Sequence, residues 1–138
     1  MTPAQGQAVL ADNFAPWVLA LNLRVTACDA NSATLRMPFD DKLLRVGGIV
    51  CGQALMAAAD TAMVIAICAA LGGMRPMATV SQNISFLRAI SGAPGQDVEI
   101  TARVLKAGKS LVFGEVEIRV AGDERVGVHA TTTYALMG

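Results

Sequence analysis

Apolar and polar residues alternate along the chain between Leu23 and Phe39, and a turn-forming run at residues 29–32 interrupts the alternation. A period of two is typical of a strand with one buried face, and Asp, Asn and Ser favour turns. This segment is therefore predicted to form a β-hairpin. Before it, residues 2–13 indicate a short helix, with Thr2 as a possible cap and Pro3 at an early helical position.

The middle of the chain has a different pattern, because the polar and glycine-rich stretch 39–50 leads into the almost unbroken apolar segment Gly52–Leu71. This length predicts a helix of about five turns, which the glycines at 72 and 73 end. Its central Asp60 and its many alanines make membrane insertion unfavourable. A helix that is apolar nearly all round is instead predicted to be enclosed by other structure in a soluble protein.

After Arg75 the helical period disappears, and a period of two continues to the end of the chain. It predicts a strand over residues 78–86 and three more over residues 97–106, 110–121 and 125–137. Hairpin-type turns separate the last three strands, which are therefore expected to be mutually antiparallel. The predicted fold class is α+β, in which a curved antiparallel β-sheet wraps a long central helix within one domain, 1–138.

Composition narrows the classes of function. The 138 residues include 11 basic and 11 acidic side chains, only 16% are charged, and 54% are apolar. A balanced, charge-poor surface offers no basic patch for nucleic acid or for an anionic membrane, and so neither is an expected partner. The apolar excess excludes disorder and is consistent with a buried subunit interface. The N-terminal residues show no export signal, so a cytoplasmic location is expected.

The cysteines and the histidine give no metal site. Cys28, Cys51 and Cys68 have neither the count of a disulfide framework nor the spacing of a zinc site. The single histidine, His129, lies in a strand-like run, so no metal or redox cofactor is expected. A Cys51 thiol nucleophile, activated by the helix dipole, is disfavoured because no partner histidine is evident.

Asp60 does not fit its surroundings. The residues three and four positions away on the predicted helix are all apolar: Met56, Ala57, Met63 and Val64. An ionised carboxylate in that position is costly unless it is hydrogen-bonded or placed at a wet cleft, and such a setting is typical of a general base. Two interpretations stay open, a catalytic carboxylate and a structural Asp bonded to a donor across an interface.

Gly52 begins the same helix. A helix N-terminus has unpaired backbone N–H groups and a positive dipole, which can polarise a carbonyl, although glycine here can equally serve only to turn the chain. Gly52 and Asp60 are separated by about 12 Å along the helix at roughly 1.5 Å per residue. One carbonyl cannot touch both, so joint action requires two antiparallel helices from different chains.

Four segments of the sequence are similar to a known family: VCGQALMAAADTA, VSQNISFLRA, ITARVLKAGKSLVFGEVEI and ATTTY. With the Gly-rich turn after the second segment, they resemble the hotdog-fold acyl-coenzyme A thioesterases of the phenylacetate-pathway type over residues 23–134. The most telling part is a Gly followed eight positions later by an acidic residue, and then a strand ending in a sequence like FLRP. The resemblance implies the hotdog fold and aligns the family's Gly and Asp with Gly52 and Asp60.

The resemblance also implies a role for each site residue. Asp60 would be the nucleophile, or the general base for a water that attacks the thioester. The Gly52 backbone N–H would polarise the thioester carbonyl from the opposite subunit, and the Thr79 hydroxyl would assist. The sequence departs from the family pattern at four positions, where His, a second Gly, Pro and an Asn or Gln are replaced by Cys51, Gln53, Ala89 and Arg45.

The substrate-binding residues expected from this resemblance lie on and around the central helix and the strand that follows it. The acyl group would occupy a tunnel lined by Met56 and Met63, and cations at Arg88 and Lys109 would hold the phosphates of coenzyme A. The remaining candidates for substrate contact are Arg45, Cys51, Gln53 and Asn83.

The function predicted first is hydrolysis of an acyl-CoA or related thioester, with coenzyme A entering only as part of the substrate. The expected assembly is a homodimer and, beyond it, a dimer of dimers. The alternative is a non-catalytic module of the same fold that binds an acyl thioester or a small aromatic ligand, which the departures from the family pattern favour. A hotdog dehydratase is disfavoured because its motif pairs Asp with His, and His129 lies in a late strand.

Overall fold

The computed structural model describes residues 1–138 as one helix-and-sheet unit. The helices are α1 (Pro3–Asn13), α2 (Pro16–Leu19) and α3 (Gly52–Leu71). The strands are β1 (Arg24–Cys28), β2 (Ser32–Met37), β3 (Leu44–Arg45), β4 (Ile49–Val50), β5 (Met77–Phe86), β6 (Val98–Ala107), β7 (Leu111–Val120) and β8 (Val128–Leu136).

Six strands form one antiparallel sheet in the order β1-β2-β6-β7-β8-β5, and β3 pairs with β4 in a separate ribbon. Helix α3 packs on the inner face of the sheet, chiefly against β2, β6 and β7. This is the hotdog arrangement, and it confirms the predicted fold class. The predicted hairpin, the central helix and the antiparallel order of the last three strands are also confirmed.

Small side chains let the sheet approach the central helix closely. The α3 residues Ala58, Ala59, Ala62 and Ala66 are fully buried. By length and composition α3 is apolar enough to cross a membrane, but most of it is buried inside the fold. It ends at Gly72, whose positive φ of 81° suits a glycine C-cap. The helix is thus a core element, and Asp60 is its one charged residue.

Gly114 shows how tightly the sheet packs. A methyl group on Gly114 would meet the side chain of Met63 and would lie 2.8 Å from the carbonyl oxygen of Arg103. Because that carbonyl belongs to the paired backbone of β6, we expect Gly114→Ala to lower the free energy of unfolding by about 2 kcal/mol. Chemical denaturation measures the change. Gly73→Ala is the control, since its added methyl meets nothing within 4 Å; equal stability of the two variants would contradict this packing.

Strand β5 is an edge of the sheet, because it pairs only with β8. Its other side presents unpaired backbone groups over ten residues. Apolar side chains at this edge and just after it are exposed, with Val80 at 60% and Leu87 at 61%. A long edge with exposed apolar side chains is a template for pairing with another strand.

Two short elements have no counterpart in the sequence-based prediction. Helix α2 has only four residues, and it carries Trp17 with 62% of its surface exposed. The β3–β4 ribbon, closed by the positive-φ residues Gly47 and Gly48, leads directly into α3. Helix α2 borders one cavity of the fold, and the β3–β4 ribbon borders another.

Candidate active site

The carboxylate of Asp60 has two hydroxyl donors on one of its oxygens. Thr79 Oγ1 donates to Asp60 Oδ1 at 2.9 Å. The Tyr134 hydroxyl donates to the same Oδ1 and lies 3.0 Å from the Asp60 backbone carbonyl oxygen. The second carboxylate oxygen, Oδ2, accepts no hydrogen bond from the protein. The structure thus places the Thr79 hydroxyl against the Asp60 carboxylate, and its assisting role stays a prediction.

The Tyr134 side chain is a site residue that the sequence reasoning missed. It is only 1% exposed. Burial, followed by the negative charge of Asp60, raises the pKa of Tyr134 well above its usual range. The phenol therefore stays protonated at working pH and acts as a donor toward Asp60. In the alternating pattern of the last strand, Tyr134 occupies an inward position that indicates only core packing.

Asp60 borders a cavity of about 380 Å³ between α2, α3 and β5. Half of the lining is apolar, from Phe14, Trp17, Val18, Met56 and Ala57, and half is polar, from Gln53, Asp60, Thr61, Thr79 and Gln82. Asp60 is the one ionisable side chain among them. The cavity therefore places a carboxylate at the wall of a largely uncharged space large enough for an acyl group.

The N-terminus of α3 borders a second cavity, of about 370 Å³. Gly52 is at the first helical position, so its N–H has no intrahelical acceptor. The N-cap residue Cys51 makes no side-chain bond to the N–H groups that follow. Arg45 and Arg88 line this cavity with Gly52, as does Phe86. The space thus combines free backbone donors with two guanidinium groups, a setting suited to a carbonyl oxygen or an anion.

The structure does not bring Gly52 and Asp60 into one cavity within one chain. Gly52 lies against the Phe86 end of β5, because a methyl group on Gly52 would sit 3.3 Å from Phe86 Cζ. Asp60 lies against Thr79, near the other end of the strand. The two groups line separate spaces, as their spacing along the helix predicts.

Four of the other residues predicted to bind substrate line one of the two cavities. Met56 and Gln53 line the Asp60 cavity, and Arg45 and Arg88 line the Gly52 cavity. Met63 lines neither cavity, because it is 0% exposed and packs under Gly114 of the sheet. The structure therefore corrects the prediction that Met63 lines an acyl tunnel.

Two further candidates lie away from both cavities. Asn83 is exposed on β5 and borders neither space. Lys109 lies in the β6–β7 turn, at the end of the sheet opposite Arg88, so these two cations cannot hold one phosphate group within a single chain.

His129 and the buried thiols lie outside this chemistry. His129 Nε2 is 3.3 Å from Glu115 Oε2, in a charged network on the outer face of the sheet. Burial raises the pKa of Cys68 to about 11, which disfavours the reactive thiolate. No group of three His, Cys, Asp or Glu side chains could hold a metal ion.

A sheet wrapped around a central helix, with a carboxylate two turns into that helix, defines the class as a hotdog protein. The chain matches the Thioesterase superfamily over residues 47–127. It is 32% identical to "Putative esterase TV1331" of Thermoplasma volcanium over 108 residues. This aligned region covers 72% of this chain and 71% of that protein. The chain belongs to the Thioesterase superfamily.

Solved structures share the fold. Zebra fish thioesterase superfamily member 2 has a TM-score of 0.85, with 23% identity and 99% of each chain covered. The PaaI protein from the phenylacetic acid degradation operon of E. coli has a TM-score of 0.82, with 20% identity, 98% of this chain and 92% of that chain covered. At these identities the likeness establishes the hotdog fold. Family membership and the name of the T. volcanium relative support thioester hydrolysis as the general activity.

Proposed function

We propose that the protein hydrolyses an acyl-CoA thioester in a homodimer, with Asp60 of one protomer and Gly52 of the partner subunit in each site. The observation that carries this proposal is the hydrogen bonding of the Asp60 carboxylate. One oxygen accepts from two hydroxyl groups, and the other has no protein partner and lies beside a cavity whose lining is half apolar. Asp60 is only partly buried, so this second oxygen is open to the cavity, where a thioester carbonyl or a water can reach it.

The free Oδ2 can act in two ways. As nucleophile, it attacks the acyl carbon, the C–S bond breaks, and water then hydrolyses the acyl-aspartyl anhydride. As general base, it takes a proton from the water that attacks the same carbon, and this proton passes to the leaving thiolate. Both routes consume one water and yield a carboxylic acid and the coenzyme A thiol.

The polarising donor is assigned to the partner because of how α3 lies on β5. The helix runs antiparallel to the strand, with Gly52 at Phe86, the Met56 carbonyl bonded to Gln82, and Asp60 at Thr79. Pairing two β5 edges about a two-fold axis near Gln82 sets the Thr79 end of one strand beside the Phe86 end of the other. Each Asp60 cavity then adjoins a Gly52 cavity of the second copy.

The coenzyme A moiety would extend from this junction toward the two arginines. Arg45 and Arg88 are exposed at the cavity that contains Gly52. Guanidinium groups bind phosphate through paired N–H donors. The acyl group would fill the space between α2 and α3, where Trp17, Val18 and Met56 supply apolar surface.

A panel of aliphatic and aromatic acyl-CoAs, with detection of the released thiol, tests the activity. Cleavage of at least one thioester is expected. A thioester that binds tightly in calorimetry and is never cleaved would overturn the proposal and support the non-catalytic binding module instead.

The dimer predicts a specific effect at Asn83, which lies beside the proposed two-fold axis. Asn83→Lys places two like charges next to each other across the paired strands, so we expect dimer dissociation to increase about tenfold and activity to fall with dilution. Analytical ultracentrifugation measures the dimer. Thr131→Lys is the control, because Thr131 pairs with Asn83 on the neighbouring strand, away from the edge. Equal dissociation of the two variants would contradict the β5 interface.

A further inference from the structure

The Tyr134 hydroxyl donates to one residue, Asp60, and lies beside the Thr79 hydroxyl. Its two acceptors are the Asp60 carboxylate oxygen Oδ1 and the Asp60 backbone carbonyl oxygen, the latter at 3.0 Å. The ring is buried in the core of the sheet. It does not line the Asp60 cavity, so it has no route to contact substrate.

Tyr134 and Thr79 form a matched pair of donors. The two residues are directly opposite each other in the β5–β8 ladder, so their side chains project from the same face toward α3. Both hydroxyls donate to Oδ1. Two donors on one oxygen restrict rotation of the carboxylate about its Cβ–Cγ bond, and the backbone contact fixes the phenol to the helix turn itself.

We infer that Tyr134 is a positioning residue that holds the Asp60 carboxylate with Oδ2 facing the cavity. This inference rests on the proposed function, because it assigns the reactive oxygen of the same site. Thr79 alone leaves the carboxylate one donor and freedom to turn. With both donors, only Oδ2 remains available for attack or for proton transfer.

The test is Tyr134→Phe, which keeps the ring in the core and removes only the hydroxyl. Loss of a hydrogen bond to a charged group corresponds to about a 10- to 100-fold change in a rate or equilibrium constant. We expect kcat to fall by that factor and KM to stay within about twofold of the wild-type value, because the phenol does not touch substrate.

The matched control is Thr132→Val. Thr132 is a buried hydroxyl on the same strand, two residues away on the same face, and its oxygen has no hydrogen-bond partner. Thermal unfolding of both variants separates packing from positioning. Unchanged kcat in Tyr134→Phe would overturn the inference, as would equal losses of kcat in the two variants.

A second measurement does not depend on activity. The carboxyl carbon signal of Asp60 can be followed by NMR in the intact protein at one fixed pH. Asp60 is the one ionisable residue in the cavity lining, and Tyr134 contacts it from the sheet. Loss of the phenol donor changes the hydrogen bonding of the carboxylate, so the signal is expected to shift in Tyr134→Phe and to stay in place in Thr132→Val. If the wild type cleaves no thioester, the proposed function fails; an unmoved signal in Tyr134→Phe overturns the role of Tyr134.

Discussion

Replacing Asp60 with Asn is expected to lower thiol release from an acyl-CoA by about 10³-fold while the fold is retained. Asn keeps an oxygen that can accept from Thr79 and Tyr134, so the packing between α3 and the sheet is preserved. The amide nitrogen takes the place of Oδ2, and it is neither a nucleophile nor a base. The loss should therefore appear in kcat with little change in thermal unfolding.

The control for this substitution is Asp12→Asn, which removes a carboxylate from an exposed position of α1. It changes the net charge equally and leaves the site untouched, so wild-type turnover is expected. Undiminished hydrolysis by Asp60→Asn would exclude Asp60 from the chemistry, whichever of the two routes is considered.

Mixing two inactive variants is expected to restore about one quarter of wild-type activity. Gly52→Pro removes the N–H proposed to polarise the thioester carbonyl, and proline is tolerated at the first position of a helix. Cys51, which precedes it, already has extended backbone angles that suit a residue before proline. With random exchange, half of the dimers combine Gly52→Pro with Asp60→Asn, and each of these has one site with both wild-type groups.

The matched control is Gly52→Ala, which adds a comparable contact with Phe86 but keeps the N–H. It should retain most activity alone. The measurement is thiol release before and after subunit exchange at equal concentrations of the two variants. A mixture that stays inactive, although exchange is confirmed by mass labelling, would show that Gly52 and Asp60 do not act across the interface.

The sequence predicts the central helix to the residue, since a glycine begins it, a glycine ends it and the segment between is apolar. The contact of Asp60 with Tyr134 could not be predicted in this way. It joins positions 74 residues apart, and an alternating pattern tells which face a tyrosine occupies without telling what its hydroxyl meets.

The positions of Met63 and α2 are two other features that the sequence pattern does not predict. Met56 and Met63 are seven residues apart and share a helix face, which suggests a common lining, but the sheet covers Met63 while the cavity ends before it. Helix α2 has four residues, too few for a helical period to be recognised, so the wall formed by Trp17 becomes visible only in three dimensions.

If the proposed dimer forms, the exposed edge of β5 has a consequence for each protomer before it meets a second copy. An unpaired ten-residue strand offers its backbone donors and acceptors to any extended polypeptide. A newly folded protomer is therefore open to misassembly, and slow association at low concentration lengthens that exposure. Capture of the edge by an identical strand would serve as protection against aggregation as well as completing each site.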